Sequence, residues 1–248
     1  MTLEEILNVS VTVGYRLLTS GAEVSRVEQS MQYICRAYGI TDMHIFAIPS
    51  SIVVTISDGT ASLTTSRRVR RIQTNLDHVV QYNALSRYIC SCKPDYEEIQ
   101  EKIHEIEKRK PWSYFLRLIS HMGVAMSFCI FFGGTLADGI VAAFVGAIIM
   151  LCSSFLNNVE ANTFFTNIVC SFMAAFISRL VSSISVFSLH SDKIIIGSIM
   201  LLVPGLSLAN AMRDFISSDT MTGISRVTEA ILVAAGLAVG VALAMMLY

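Results

Sequence analysis

Charge is scarce in this chain, and the shortage is local. Only 15% of its 248 residues are charged, against about 25% in an ordinary soluble domain. Of the 19 acidic and 18 basic residues, 13 of each kind lie before Pro111. The first 110 residues therefore have a water-soluble composition, and the rest do not. Other absences narrow the chemistry. No Walker-type glycine-rich phosphate loop is present, so ATP is not an evident energy source. His44, Ser50, Ser51 and Asp58 lack a nucleophile elbow or an oxyanion loop, and read as strand-end and turn residues rather than as a hydrolase triad. The six cysteines are scattered over a cytosolic domain and apolar helices, so disulfides are not expected. Cys90 and Cys92 have no matching His or Cys pair, and neither a metal nor another cofactor is expected. The first residues carry no basic n-region and no small-residue cleavage site, so no cleavable signal peptide is expected.

What is present is apolar: 53% of the residues, with a mean hydropathy of +0.59. After the basic cluster and proline of KRKPW (Lys108 to Trp112) come five apolar blocks, at about 114–133, 136–156, 163–188, 194–212 and 225–247. Each approaches the ~20 residues that a helix needs to cross ~30 Å of hydrocarbon. The expected architecture is an α+β cytoplasmic domain over 1–110, then an all-α membrane domain of five transmembrane helices over 111–248. Lys and Arg crowd the N-terminal side, whereas the loop GGTLADG (133–139) has none. By the positive-inside tendency this predicts a cytoplasmic N-terminus and an extracytoplasmic C-terminus.

In the first 110 residues, Leu3, Ile6, Leu7, Val11, Tyr15 and Leu18 share a helical face, and a second helix is expected over about 23–38, stopped by Gly39. The period then changes to two. HIFAI, SIVVTIS and TASLTTS read as strands, the last two joined at Asp58-Gly59 as a hairpin. Helices are expected again at about 69–90 and 95–109. The result is a small antiparallel sheet with helices on it. The run RRVRR (67–71) suits anionic lipid heads or protein partners better than nucleic acid.

Polar groups inside apolar helices are costly and tend to face a cavity or a partner. Asn157, Asn158 and Glu160 fall at the inner end of the second block. Asn210, Arg213 and Asp214 fall at the inner end of the fourth, Glu229 lies one turn into the fifth, and Arg179 lies in the outer part of the third. Helix capping at headgroup level is the plain alternative for each. Pro204-Gly205 should break the fourth block, and broken helices at membrane depth recur in solute pathways. Arg213 and Asn210 share a face and could hold a carboxylate; Asp214 could pair with Arg226; Glu229, with Glu160 and Asp214, could carry protons. Gly236 and Gly240 permit close helix approach, as do Gly139, Ala143 and Gly146. Such faces suggest an oligomer.

The stretch LVPGLSLANAMRDFISSDTMTGISRVTEAILVA resembles the signature of the threonine/serine exporter family in its N-terminal-half form. SGAEVSRVEQSM, the AIPSSIVVTI strand and the Arg67 to Arg71 region agree with it. The resemblance covers nearly the whole chain. It implies export of small amino acids or small dicarboxylates across a bacterial cytoplasmic membrane, driven by the proton gradient. Fused members have ten spans, so five imply a split form that works with a smaller membrane subunit. The competing reading is a regulatory or scaffolding subunit whose cytoplasmic domain senses metabolites while the partner forms the pathway.

Overall fold

The computed structural model describes residues 1–109, 112–159, 161–184 and 188–247. It divides into two compact units, Met1–Lys110 with Ala209–Arg226, and Pro111–Leu208 with Val227–Tyr248. The chain is mostly helical, with one small antiparallel sheet.

In the first unit, α1 (Leu3–Thr19) opens on a capping box. The Thr2 hydroxyl accepts from the Glu5 N–H at 3.2 Å, and the Glu5 carboxylate accepts from the Thr2 N–H at 2.7 Å. Gly21 (φ +87°) turns the chain into α2 (Val24–Ala37), and Gly39, at the same φ, ends that helix as expected. Strands β1 (Asp42–Ile48), β2 (Ser51–Ser57) and β3 (Ser62–Arg68) form a meander in the order β1-β2-β3. Asp58 shapes the second turn: its Oδ1 accepts from the Thr60 N–H and hydroxyl and from the Ala61 N–H. On β2 the alternation buries Ile52, Val54 and Ile56 against the helices. The core joins them to Val13 and Leu17 of α1, Val27, Met31 and Ile34 of α2, Tyr82 and Ile89 of α3 (Leu76–Cys92), and Ile99 and Ile103 of α4 (Tyr96–Glu107).

One helix boundary departs from expectation. The helix expected from about residue 69 begins at Leu76. Residues 69–75 instead lie along neighbouring backbone. Val69 N–H donates to Ser50 O at 2.8 Å, Gln73 N–H to Thr19 O at 2.9 Å and Asn75 N–H to Ser20 O at 3.0 Å. Asn75 then caps α3 by accepting from the His78 N–H. His44, Ser50 and Asp58 do not assemble. Ser50 and Asp58 flank opposite ends of β2, about 20 Å of strand apart, and the His44 side chain is exposed beside Asp42.

In the second unit, α5 (Tyr114–Phe131), α6 (Leu136–Asn158), α7 (Thr163–Ile184) and α8 (Ser191–Ile199) pack around Ala125, Cys129, Ala142, Val145, Ile149, Cys170, Ala174 and Ile194. Small residues allow the close approach: a Cβ on Gly197 would sit 2.6 Å from the Cys129 backbone. The last helix, α10 (Thr220–Leu247), contributes Ala244 beside Ala175 of α7. A Cβ on Gly240 would run into the Ser171 hydroxyl and the Ile168 carbonyl.

Four helices among the described residues are long and apolar enough to cross a membrane: α5, α6, α7 and α10. The span expected at 194–212 is interrupted, as the Pro204-Gly205 break predicts, but it is not one membrane-length element. It is α8, of 9 residues, and α9 (Gly205–Ile216), of 12. At ~1.5 Å per residue, neither alone approaches ~30 Å. Pro204 is the cause. Having no N–H, it cannot continue α8, and its carbonyl instead accepts from Leu208 N–H at 3.1 Å to open α9. The end of the expected third span, at 185–187, lies outside the described residues.

Candidate functional site

In the first unit, two ion pairs, Arg213–Glu23 and Arg226–Asp214, meet at the α9–α10 corner. Two features make this corner tight. Ser218 takes a left-handed backbone conformation (φ 65°), and Gly223 lies under the Phe215 ring, where a Cβ would sit 2.8 Å from the ring edge. Asp219 caps α10, accepting from the Thr222 N–H at 3.3 Å.

Two arginines leave this corner for the α1–α2 link, residues 20–23. Arg213 Nη1 donates to Glu23 Oε2 at 3.2 Å, while the Ser25 hydroxyl donates to Glu23 Oε1. Arg226 Nη2 donates to the Ala22 carbonyl at 3.3 Å. The two arginines differ in environment. Arg226 is buried and lies 3.1 Å from Asp214 Oδ2, which is also buried. The Arg213 side chain is 64% exposed, so its fork keeps N–H donors facing outward. Asn210, half-buried, is one turn away on the same face. Nearby in the unit, Glu28 accepts from the Ala47 N–H at 2.7 Å, and burial pushes its carboxyl above the usual carboxylate range, with Asp219 adding to the rise.

Chemically, the corner offers a cation of fixed charge that already holds a carboxylate, with a primary amide beside it. Among the described residues, no cluster of three His, Cys, Asp or Glu side chains is suited to a metal.

The structure gathers Asn210, Arg213 and Asp214 with Arg226 in one unit. It places Asn157, Asn158, Arg179 and Glu229 on helices of the other. Asn157, exposed, reaches Ser153 at 3.5 Å. Asn158 is exposed at the end of α6, and Glu229 is exposed on α10. Arg179 of α7 donates to Met245 Sδ of α10 at 2.7 Å. Pro204 and Gly205 form the α8–α9 break, and Glu160 lies outside the described residues.

Sequence reasoning missed three residues. Glu23 gave no signal beyond being an acid at a helix start. Asp138 and His190 of the second unit were also missed. Asp138 is fully buried, completes a capping box with Thr135, and accepts from both the backbone N–H and the ring Nδ1 of His190, at 2.8 and 3.0 Å. The T-x-x-D spacing of Thr135 and Asp138 was the readable half of that joint.

Comparison with known proteins places these features in context. The family model described as "Putative threonine/serine exporter" matches residues 8–248. The "Threonine/serine exporter" of Corynebacterium glutamicum is 25% identical over 98% of this chain and 51% of its own length. The "Probable threonine/serine exporter" of Mycobacterium tuberculosis is 22% identical over 96% of this chain and 45% of its own. The chain thus spans about half the length of these two relatives. The "Probable succinate transporter subunit YjjP" of Klebsiella aerogenes is 25% identical over 94% of this chain and 90% of its own. No solved structure matches. These relatives are named as exporters and transporters, not as enzymes.

Proposed function

This chain belongs to the threonine/serine exporter family, and we propose that it is a subunit of a secondary exporter in a bacterial cytoplasmic membrane. Its solutes are small amino acids or small dicarboxylates, moved outward at the expense of the proton gradient. A smaller membrane subunit completes it. Near full-length similarity to a protein named as a transporter subunit supports the split arrangement. Four helices long and apolar enough to cross a membrane support a multi-pass protein.

One observation carries the substrate class: the pairing of Arg213 with the Glu23 carboxylate at 3.2 Å. Amino acids and dicarboxylates share that group. Glu23 therefore acts as an internal occupant that an arriving solute displaces, its carboxylate replacing Glu23 on the guanidinium. Asn210 adds a second hydrogen bond. Glu229, an acid on an apolar helix, is the proposed proton carrier.

The test is efflux of labelled threonine, serine and succinate from loaded cells, with and without the smaller subunit. Arg213→Ala should abolish export at unchanged expression, and Glu229→Gln should remove its dependence on the proton gradient. Wild-type transport by both variants would reduce these residues to helix capping, and the regulatory-subunit reading would replace this one.

A further inference from the structure

We propose that the first unit carries a second oxyanion site, separate from Arg213, in the cleft between the C-terminal end of α1 and the residue 69–75 segment. The ligand is a small metabolite bearing a carboxylate or a phosphate, and the site is regulatory rather than part of the solute path.

The cleft has a volume of about 370 Å³, and Arg16, Thr19, Arg71, Gln73, Asn75 and His78 are among its lining residues. That is the size at which small-ligand pockets begin. Its walls are fixed by backbone, since Gln73 and Asn75 are tied to the carbonyls of Thr19 and Ser20. The N-terminus of α3 begins at the same place, so its unpaired N–H groups add positive potential to that of Arg16 and Arg71. A third guanidinium stands close by: that of Arg67 lies 4.0 Å over the ring of Tyr15, another lining residue.

Two buried donors lie behind the cleft wall. Arg16 pairs with Glu107 through Nη2, and its buried Nε has no hydrogen-bond partner among the described residues. Tyr82, which meets His78 edge-on, is completely buried, and its hydroxyl likewise has none. Burial pushes that hydroxyl up to about 12, so it remains a donor at any physiological pH. Two guanidinium groups line the cleft with amide, hydroxyl and imidazole groups, and no carboxylate is among its lining residues, which favours an oxyanion over an amine. The run at 67–71 thereby gains a use: Arg67 covers Tyr15, Val69 is buried in the core, and Arg71 lines the cleft.

This site does not depend on the export reading. Calorimetry on the full-length protein in lipid nanodiscs would use succinate, L-threonine and inorganic phosphate as probes. Arg71→Gln should weaken binding of succinate or phosphate about 10- to 100-fold, as for a lost hydrogen bond to a charged group. Gln73→Trp, at an exposed rim position, should block it by filling the cleft. Arg213→Gln should leave phosphate binding unchanged, and the succinate binding that remains in it should still be lost with Arg71→Gln. Whichever probe binds identifies the oxyanion as carboxylate or phosphate. Binding by neither, or binding that survives both cleft variants, overturns the proposal. So does binding lost entirely with Arg213→Gln alone, which would assign all of it to the proposed transport site. Unfolding midpoints without ligand should match wild type, since Arg71 and Gln73 are both exposed.

Discussion

Asp138 and Asp214 are both buried carboxylates, and they meet the cost of burial in opposite ways. Asp138, in the second unit, fills its acceptor sites with aligned donors: the Thr135 N–H and hydroxyl, and the His190 N–H and ring. Asp214, in the first, faces Arg226 at 3.1 Å, yet neither Asp214 Oδ2 nor Arg226 Nε has an aligned hydrogen bond among the described residues. A carboxylate with its lone pairs satisfied by neighbouring backbone is a fixed joint. An ion pair held by charge and poor alignment can come apart and re-form in another geometry. The contrast makes the α6–α8 joint the one held by aligned hydrogen bonds and the Asp214–Arg226 pair the one held chiefly by charge.

The harshest way to break the comparison is Arg226→Ala. It leaves the Asp214 charge buried without its cation, a class of change that costs about 3–5 kcal/mol. Unfolding of the purified protein followed by tryptophan-independent far-UV signal should show that loss. Replacing both residues together, Arg226→Met with Asp214→Leu, should recover most of it, because no charge is then stranded. If the double variant is as unstable as the single one, the pair is held by more than its mutual attraction, and the corner is as fixed as Asp138.

Next in size is Asp138→Asn. The amide can still accept through its oxygen, but it cannot fill all four donors, so the cap of α6 and the tie to His190 weaken. About 1–3 kcal/mol should be lost, the cost of leaving buried donors unpaired. His190→Ala should remove only the ring bond and cost less, because the backbone N–H of residue 190 still reaches Asp138. Equal losses from the two variants would show that the ring, not the backbone, carries the joint.

How much of this was legible in advance depended on distance along the chain. The stops at Gly39 and Pro204, the Asp58-Gly59 hairpin and the close approach at Gly240 are decided by local backbone or by one small residue. Each was readable from a few letters. The residue 69–75 segment was misread because its donors are satisfied by Thr19 and Ser20, more than fifty positions earlier, and helical periodicity cannot report that. The fourth apolar block breaks where Pro204 predicts, but hydropathy measures length and greasiness and gave no sign that each half is too short to cross a membrane alone. For Asp214 the chemistry was readable but the geometry was not. Arg226 could be named as a partner by charge and proximity, whereas the pairing of Arg213 with Glu23 joins residues 190 positions apart. No pattern of spacing encodes such a contact.

Glu28 is a third carboxylate, between the two cases, and gives the smallest and most diagnostic effect. It has one good hydrogen bond, from the Ala47 N–H at 2.7 Å, but its burial is not otherwise compensated, and Asp219 is a like charge nearby. Burial raises its pKa most, the Ala47 bond opposes the rise, and Asp219 adds to it. The folded-state value therefore lies above the unfolded one. Protonation of Glu28 then favours the folded state: its contribution is fully present below the unfolded carboxylate pKa and is lost as pH rises through the folded value. Glu28→Gln keeps an oxygen to accept from Ala47 and removes the titration. The difference in unfolding free energy between wild type and Glu28→Gln should thus change across the acidic range and become flat above the raised pKa, with the variant no less stable than wild type at neutral pH. A difference independent of pH would mean that the Ala47 bond just cancels the cost of burial. A difference sloping the other way would mean that the Ala47 bond outweighs burial.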